Sequence, residues 1–126
     1  MNEEQLKVSR LLTSSPRFVW LPDLKLTNGF RVVSPTVAVS GPWPDVVPGE
    51  TRPWLCDPSE WVLDLASDAT GGVLLGTLGE GWRVARFEEW IVIEVRRTGA
   101  IRRAGSSLAE ACARALLARW AREVTL

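Results

Sequence analysis

The residues whose types and spacing could do chemistry are mainly arginines. Four of them flank a single Thr-Gly turn: Arg96, Arg97, Arg102 and Arg103. Guanidinium groups clustered around one hairpin can bind phosphates or an acidic protein surface, because each presents a planar fork of donors that matches an oxyanion. The alternative is a solvated turn in which the arginines pair with nearby carboxylates, those of Glu88, Glu89 and Glu94.

Tryptophan is the second kind of candidate. The chain has seven, and three of them lie in or beside a Pro-rich loop: Trp43, Trp54 and Trp61. Because Trp and Arg dominate the hot spots of protein interfaces, these three are candidate partner-binding residues. If the partner is a protein, we expect them to contribute more than the arginines. The alternative is a small core under a long loop.

The chain has few residues suited to catalysis or metal binding. The chain has no His and two cysteines, Cys56 and Cys112. Triads that use His and four-ligand zinc sites are therefore excluded. We expect both thiols to be reduced, and Cys112 to be buried. The sequence predicts no catalytic, cofactor-binding or metal-binding residue, no cofactor, and a protein that is not an enzyme.

Three other motifs have structural explanations. Glu88 and Glu89 are adjacent, so on a strand they would point to opposite faces, and a hairpin turn is the better interpretation. Asp68 is better explained as a helix cap than as a carboxylate paired with Asp64. The glycine-rich run from Gly71 to Gly81 lacks the signature of a phosphate-binding loop.

Charge and length limit the remaining classes. The 126 residues suit one domain, residues 1–126, and 15 basic side chains balance 15 acidic ones. A strongly basic nucleic-acid footprint is absent. No apolar run approaches the roughly 18 residues of a membrane span. The chain begins with an acidic stretch where a signal peptide needs positive charge, so we expect a cytoplasmic protein without a membrane partner.

Local patterns predict the elements of the first half. A helix over residues 2–13 is capped by Asn2, with Leu6, Leu11 and Leu12 as its apolar face. Residues 17–21 are β-prone. Residues 25–33 predict a hairpin around a two-residue Asn28-Gly29 turn, and residues 36–40 a further strand. A Pro-rich loop follows at residues 41–52.

In the second half, the start of the middle helix is ambiguous. A helix over residues 58–66 after Asp57 competes with one that begins at Asp68, and local propensity favours the first because the second contains glycines. Strands are predicted at residues 82–88, 90–97 and 100–103. A helix from Leu108 to about Glu123 has a single apolar stripe: Ala109, Cys112, Ala113, Leu116 and Trp120.

Two runs of residues also carry a family resemblance. Residues 81–84 (GWRV) match a GW-x-V strand, and residues 106–117 (SSLAEACARALL) match a helix of the form tL-x-EA-x-x-RA-x-L. They resemble the phage ABA sandwich domain family, small proteins of bacteriophages and prophages. Residues 61–75 resemble small phage proteins with a W-x-x-DL-x-DPAT-x-G-x-LL pattern, although Ala69 replaces its proline. The resemblance covers roughly residues 54–120.

The resemblance implies a middle helix that begins near Asp68, and helices packed on a small antiparallel sheet; it supplies no catalytic residues. We predict a single α+β domain with about four to six antiparallel strands and two or three packed helices. The expected function is that of a non-enzymatic phage or prophage accessory protein in a bacterial cytoplasm. It would bind an unknown host or phage protein and modulate or inhibit a host process such as a defence system. The alternative is a nucleic-acid-binding protein that uses the Arg96–Arg103 hairpin.

Overall fold

The computed structural model describes residues 1–39, 60–95 and 100–124. In these ranges helices and strands follow in the order α1 (Glu3–Thr13), β1 (Arg31–Ser34), β2 (Val37–Val39), α2 (Asp68–Leu78), β3 (Trp82–Arg86), β4 (Trp90–Glu94), β5 (Arg102–Gly105) and α3 (Leu108–Val124). The strands form two antiparallel sheets, β1–β2 and β3–β4–β5, so the predicted α+β class is confirmed. No helix in these ranges is long and apolar enough to cross a bilayer.

Several predicted features lie outside the described residues. They are the Pro-rich loop at 41–52, Trp43, Trp54, Cys56, Asp57, Arg96 and Arg97.

Helix α1 begins where the sequence predicts. The Asn2 side chain accepts a hydrogen bond from the Gln5 backbone N–H at 2.8 Å, and the Gln5 side-chain oxygen accepts one from the Asn2 N–H at 3.2 Å. This reciprocal capping box satisfies two donors that the first turn leaves unpaired. The predicted leucine face is right for Leu12, which is buried, and wrong for Leu11, which is 52% exposed. The buried face consists of Gln5, Val8, Ser9 and Leu12.

The segment between α1 and β1 departs from prediction in two places. Residues 17–21 form no strand: Pro16 and Pro22 flank them, and the chain reverses at Asp23, whose φ is 75°. The predicted two-residue turn at Asn28-Gly29 is a three-residue loop. Gly29 donates to the Leu26 carbonyl at 3.0 Å and has a φ of 87°, a value that glycine adopts without strain.

Helix α2 begins at Asp68, as the resemblance implies and against the local preference. The Ser67 side chain caps it by accepting from the Thr70 N–H at 3.4 Å. The competing helix at 58–66 is wrong, since Leu63 pairs with Leu26 in a β-bridge. Propensity fails here because one of the glycines, Gly71, lies against α3. A Cβ on Gly71 would lie 3.1 Å from the Ala109 backbone nitrogen, which is closer than ordinary contact, so glycine allows this close approach without a shift of α3.

Helix α3 is the element against which α1, α2, β4 and β5 all pack. Its predicted apolar stripe is confirmed, since Ala109, Cys112, Ala113, Leu116 and Trp120 are all buried. The Ser107 side chain accepts from the Glu110 N–H at 3.0 Å, which caps the first turn. Near the other end, Arg119 donates to the Leu78 carbonyl at 3.0 Å and so supplies the cation that the last turn of α2 lacks.

Candidate functional site

The register of the β3–β4–β5 sheet divides its side chains into two faces. Side chains opposite each other across an antiparallel pair lie on the same face. Val92 and Glu94 are buried and face α3. The opposite face, which we call the outer sheet face, consists of Arg83, Ala85, Ile91, Ile93, Arg102 and Ala104. Ile91 and Ile93 lie at its centre, on the middle strand.

Among the described helices and strands, none packs substantially on the outer sheet face. Helix α3 contacts β4 and β5 from the other side, where Gly105 meets the first turn of the helix. Ile91 and Ile93 are half-buried, and Arg83 and Arg102 on the same face are exposed. Burial alternates along β4, with Val92 and Glu94 on the buried side and Ile91 and Ile93 on the other.

Glu94 of β4 forms an ion pair with Arg122 of α3. Glu94 accepts two hydrogen bonds from Arg122, at 2.6 and 2.8 Å, and is only 9% exposed. These bonds raise the pKa of Arg122 above its ordinary value. This carboxylate is turned towards α3 and, among the described residues of the β4–β5 hairpin, forms no ion pair with Arg102 or Arg103.

Four exposed arginines on this sheet form no ion pair with a described residue: Arg83, Arg86, Arg102 and Arg103. The interpretation in which the hairpin arginines pair with Glu88, Glu89 and Glu94 is therefore wrong for Arg102 and Arg103. Arg86 stacks over the Trp90 ring at 5.0 Å, and Arg103 donates to the Arg102 carbonyl at 2.8 Å. The guanidinium groups of Arg83 and Arg102 remain available to an anion.

Phe87 lies at the tip of the β3–β4 hairpin and is 80% exposed. The tip is an ordered turn, since the Phe87 N–H donates to the Glu89 carbonyl at 3.1 Å. Glu88 and Glu89 occupy this turn, which confirms their interpretation as hairpin residues rather than a carboxylate pair. Phe87 is thus a large apolar side chain exposed at one end of the sheet.

Of the tryptophan candidates, Trp61 lies within the described residues, and it is placed differently from Arg102 and Arg103. Trp61 is only 7% exposed and packs edge-to-face on Trp20, with ring centroids 5.1 Å apart. Its side chain fills the core beside Phe18, which stacks on Trp20 in turn. As a core residue, Trp61 cannot contact a partner without unfolding its surroundings. This is a correction to its place among the partner-binding candidates.

The remaining sequence motifs are structural. The Asp64 carboxylate accepts from the Ala66 N–H at 3.0 Å and shapes the turn before α2. Gly71 and Gly72 lie within α2 itself, so this part of the glycine-rich run is helix rather than a phosphate-binding loop. Cys112 is buried, as predicted, and burial raises the pKa of its thiol to about 12. In the described part of the chain, no three His, Cys, Asp or Glu side chains converge as metal ligands would.

Comparisons with protein families, with curated proteins and with solved structures find no match for this chain. The resemblance to the phage ABA sandwich domain family stays a prediction.

Sequence reasoning found two of the arginines on this sheet and missed two. Arg83 and Arg86 are separated from Arg102 and Arg103 by a whole strand, and the register of the sheet places Arg83 and Arg102 on either side of Ile93, on the same face. Strand periodicity was the available signal for the outer sheet face. It places Arg83 and Ile91 on the opposite side of their strands from Val84 and Val92. Periodicity alone does not say which of two apolar faces receives the helix.

Proposed function

We propose that this protein is a non-enzymatic binding protein whose outer sheet face contacts an acidic surface of another protein. The observation that carries the proposal is the pair of half-buried isoleucines, Ile91 and Ile93, on one face of the sheet. Ile93 lies between Arg83 and Arg102, which form no ion pair with a described residue. An apolar centre with arginines beside it has the composition of a protein interface, in which Arg is enriched and Lys depleted. Two uncompensated positive charges favour carboxylates on the partner.

A protein partner fits this face better than a nucleic acid does. Sheets that bind single-stranded nucleic acid present aromatic rings on which bases stack. The outer sheet face presents isoleucine and alanine at the corresponding positions. The chain also has no net charge, which weakens its attraction to a phosphate backbone.

Nucleic-acid binding through the Arg96–Arg103 hairpin remains the second candidate, and one observation favours it. Arg102 and Arg103 are both exposed and form no ion pair with a described residue. The structural explanation of the same residues is protection of an edge, because charged side chains on a sheet's outermost strand prevent its pairing with another chain. β5 is such a strand in the described sheet.

The proposal is tested by a charge reversal with a matched control. A photoreactive residue at Ala104 crosslinks the partner from a lysate, and the partner is then purified for affinity measurements. We expect Arg83→Glu combined with Arg102→Glu to weaken binding about tenfold or more, that is by ~1.4 kcal/mol or more. Lys7→Glu combined with Arg10→Glu makes the same change of charge on exposed residues of α1 and should leave the affinity unchanged.

The nucleic-acid alternative is tested on the same protein. Fluorescence anisotropy with single- and double-stranded DNA and RNA, at two salt concentrations, should show no specific binding. If binding occurs, and Arg102→Ala with Arg103→Ala lowers the salt slope by about one unit per lost phosphate contact, the alternative replaces our proposal. Our proposal would also be overturned if the double substitution at Arg83 and Arg102 and the double substitution at Lys7 and Arg10 weakened the protein complex equally.

The phage or prophage origin, and the modulation of a host process such as a defence system, are proposed on the resemblance alone. They predict that the crosslinked partner is a bacterial or phage protein. A partner that binds the outer sheet face but comes from another source would remove this part of the proposal and leave the binding surface intact.

A further inference from the structure

A cavity of about 230 Å³ lies where the segment after α1 crosses α2 and α3. Its walls are mostly apolar and include Phe18, Leu21, Leu24, Leu74, Leu116 and Trp120. Leu24 and Leu116 are fully buried, so the cavity reaches the core. Its exposed members, Arg17 and Val19, mark the side on which it opens to solvent. Protein interiors are close-packed, and an apolar space of this size at the core is a site for a ligand.

Two polar side chains of the lining, those of Thr77 and Arg17, have partners within the protein. The Thr77 hydroxyl donates to the Val73 carbonyl at 3.0 Å, one turn back in α2. The Arg17 guanidinium pairs with the Glu123 carboxylate of α3. Among the described residues of the lining, Arg17 is the single charged one and is already paired, so these residues offer a ligand no unpaired charge. An ionised ligand would lose its hydration without compensation, whereas an apolar ligand would lose nothing.

We propose that this cavity binds a small uncharged apolar molecule, with the size of one substituted aromatic ring or a short branched chain. A dry cavity of about 150 Å³ lined by Leu, Ile and Phe is sufficient for benzene, so the larger volume here admits a substituted ring. None of the lining residues belongs to the outer sheet face. The site is therefore independent of the proposed partner surface.

The test uses toluene and benzoate, two probes with the same ring that differ in charge. Toluene should raise the Tm saturably, because a ligand that binds only the folded state stabilises it by mass action. It should also shift the methyl resonances of Leu24, Leu74 and Leu116. Benzoate at the same concentration should do neither. Absence of a saturable toluene effect, or an equal effect of benzoate, would overturn the proposal.

Two substitutions at one position separate cavity volume from side-chain polarity. Thr77→Phe places a ring in the cavity and should weaken toluene binding at least tenfold, while far-UV circular dichroism confirms that the protein is folded. Thr77→Val keeps the size of the side chain and removes its hydroxyl, so toluene should bind as before. Thr77→Met fills the cavity with a flexible chain, should Phe prevent folding. Toluene binding that survives in a folded, filled variant would place the ligand elsewhere and overturn the proposal.

Discussion

The three glycines inside α2 allow a sharp test of the packing between α2 and α3. Gly71, Gly72 and Gly76 lie in the same helix, where each Gly→Ala substitution gains about 1 kcal/mol of helix propensity. A Cβ added at Gly72 or Gly76 meets no atom within 4 Å. We therefore expect each of these two variants to unfold with a free energy about 1 kcal/mol higher than that of the wild type.

At Gly71 the same substitution meets α3. The added Cβ would lie 3.1 Å from the Ala109 backbone nitrogen and 3.1 Å from Leu108 Cγ, both closer than ordinary contact. Overpacking of this kind costs about 1–3 kcal/mol, against a gain of about 1 kcal/mol from propensity. We expect Gly71→Ala to be about 1 kcal/mol less stable than the wild type, and so about 2 kcal/mol less stable than Gly72→Ala.

Urea unfolding followed by circular dichroism measures the three differences, provided that the variants share one m value. Gly72→Ala and Gly76→Ala are the matched controls, since they change the same helix by the same atom. If Gly71→Ala proves as stable as Gly72→Ala, helices α2 and α3 do not approach as closely as described, and the explanation of α2's glycines is wrong.

Three further predictions concern the core. Gly105→Ala should lower the free energy of unfolding by about 3 kcal/mol, because its Cβ would lie 2.6 Å from the Ala111 backbone nitrogen; an unchanged Tm would contradict the β5–α3 contact. With its pKa raised to about 12 from about 9, the Cys112 thiol keeps its proton longer in the folded than in the unfolded state. Stability should therefore fall between about pH 9 and pH 12, by at most ~1.4 kcal/mol per pH unit, and Cys112→Ala should remove that part of the slope in pH-dependent urea unfolding. Trp61→Ala should cost about 3–5 kcal/mol in thermal unfolding, whereas a stability equal to that of the wild type would return Trp61 to the candidate contact residues.

The sequence predicts the elements best where local and tertiary preferences agree. Helix α3 has a cap at Ser107 and a continuous apolar stripe, and both the cap and the buried residues are as expected. Helix α2 has the opposite character. Its glycines weaken the local signal, and Gly71 becomes favourable only once α3 is beside it, which no local pattern contains.

The candidate site was predictable only in part, for a similar reason. The hairpin arginines stand out because they are close in sequence, and the isoleucines of β4 stand out by alternation. That Glu94 turns away to Arg122 depends on where α3 crosses the sheet. Because of this long-range contact, Arg102 and Arg103 form no ion pair with Glu94, the carboxylate of β4.

The order of the elements along the chain has a consequence for synthesis. α3, the helix on which α1, α2, β4 and β5 pack, is the last of them to leave the ribosome. Until residues 108–124 have emerged from the exit tunnel, Leu12 and Leu74 have no complete core to enter, and the nascent chain exposes them. Such exposed apolar surface is prone to aggregation until α3 has emerged and the core can close.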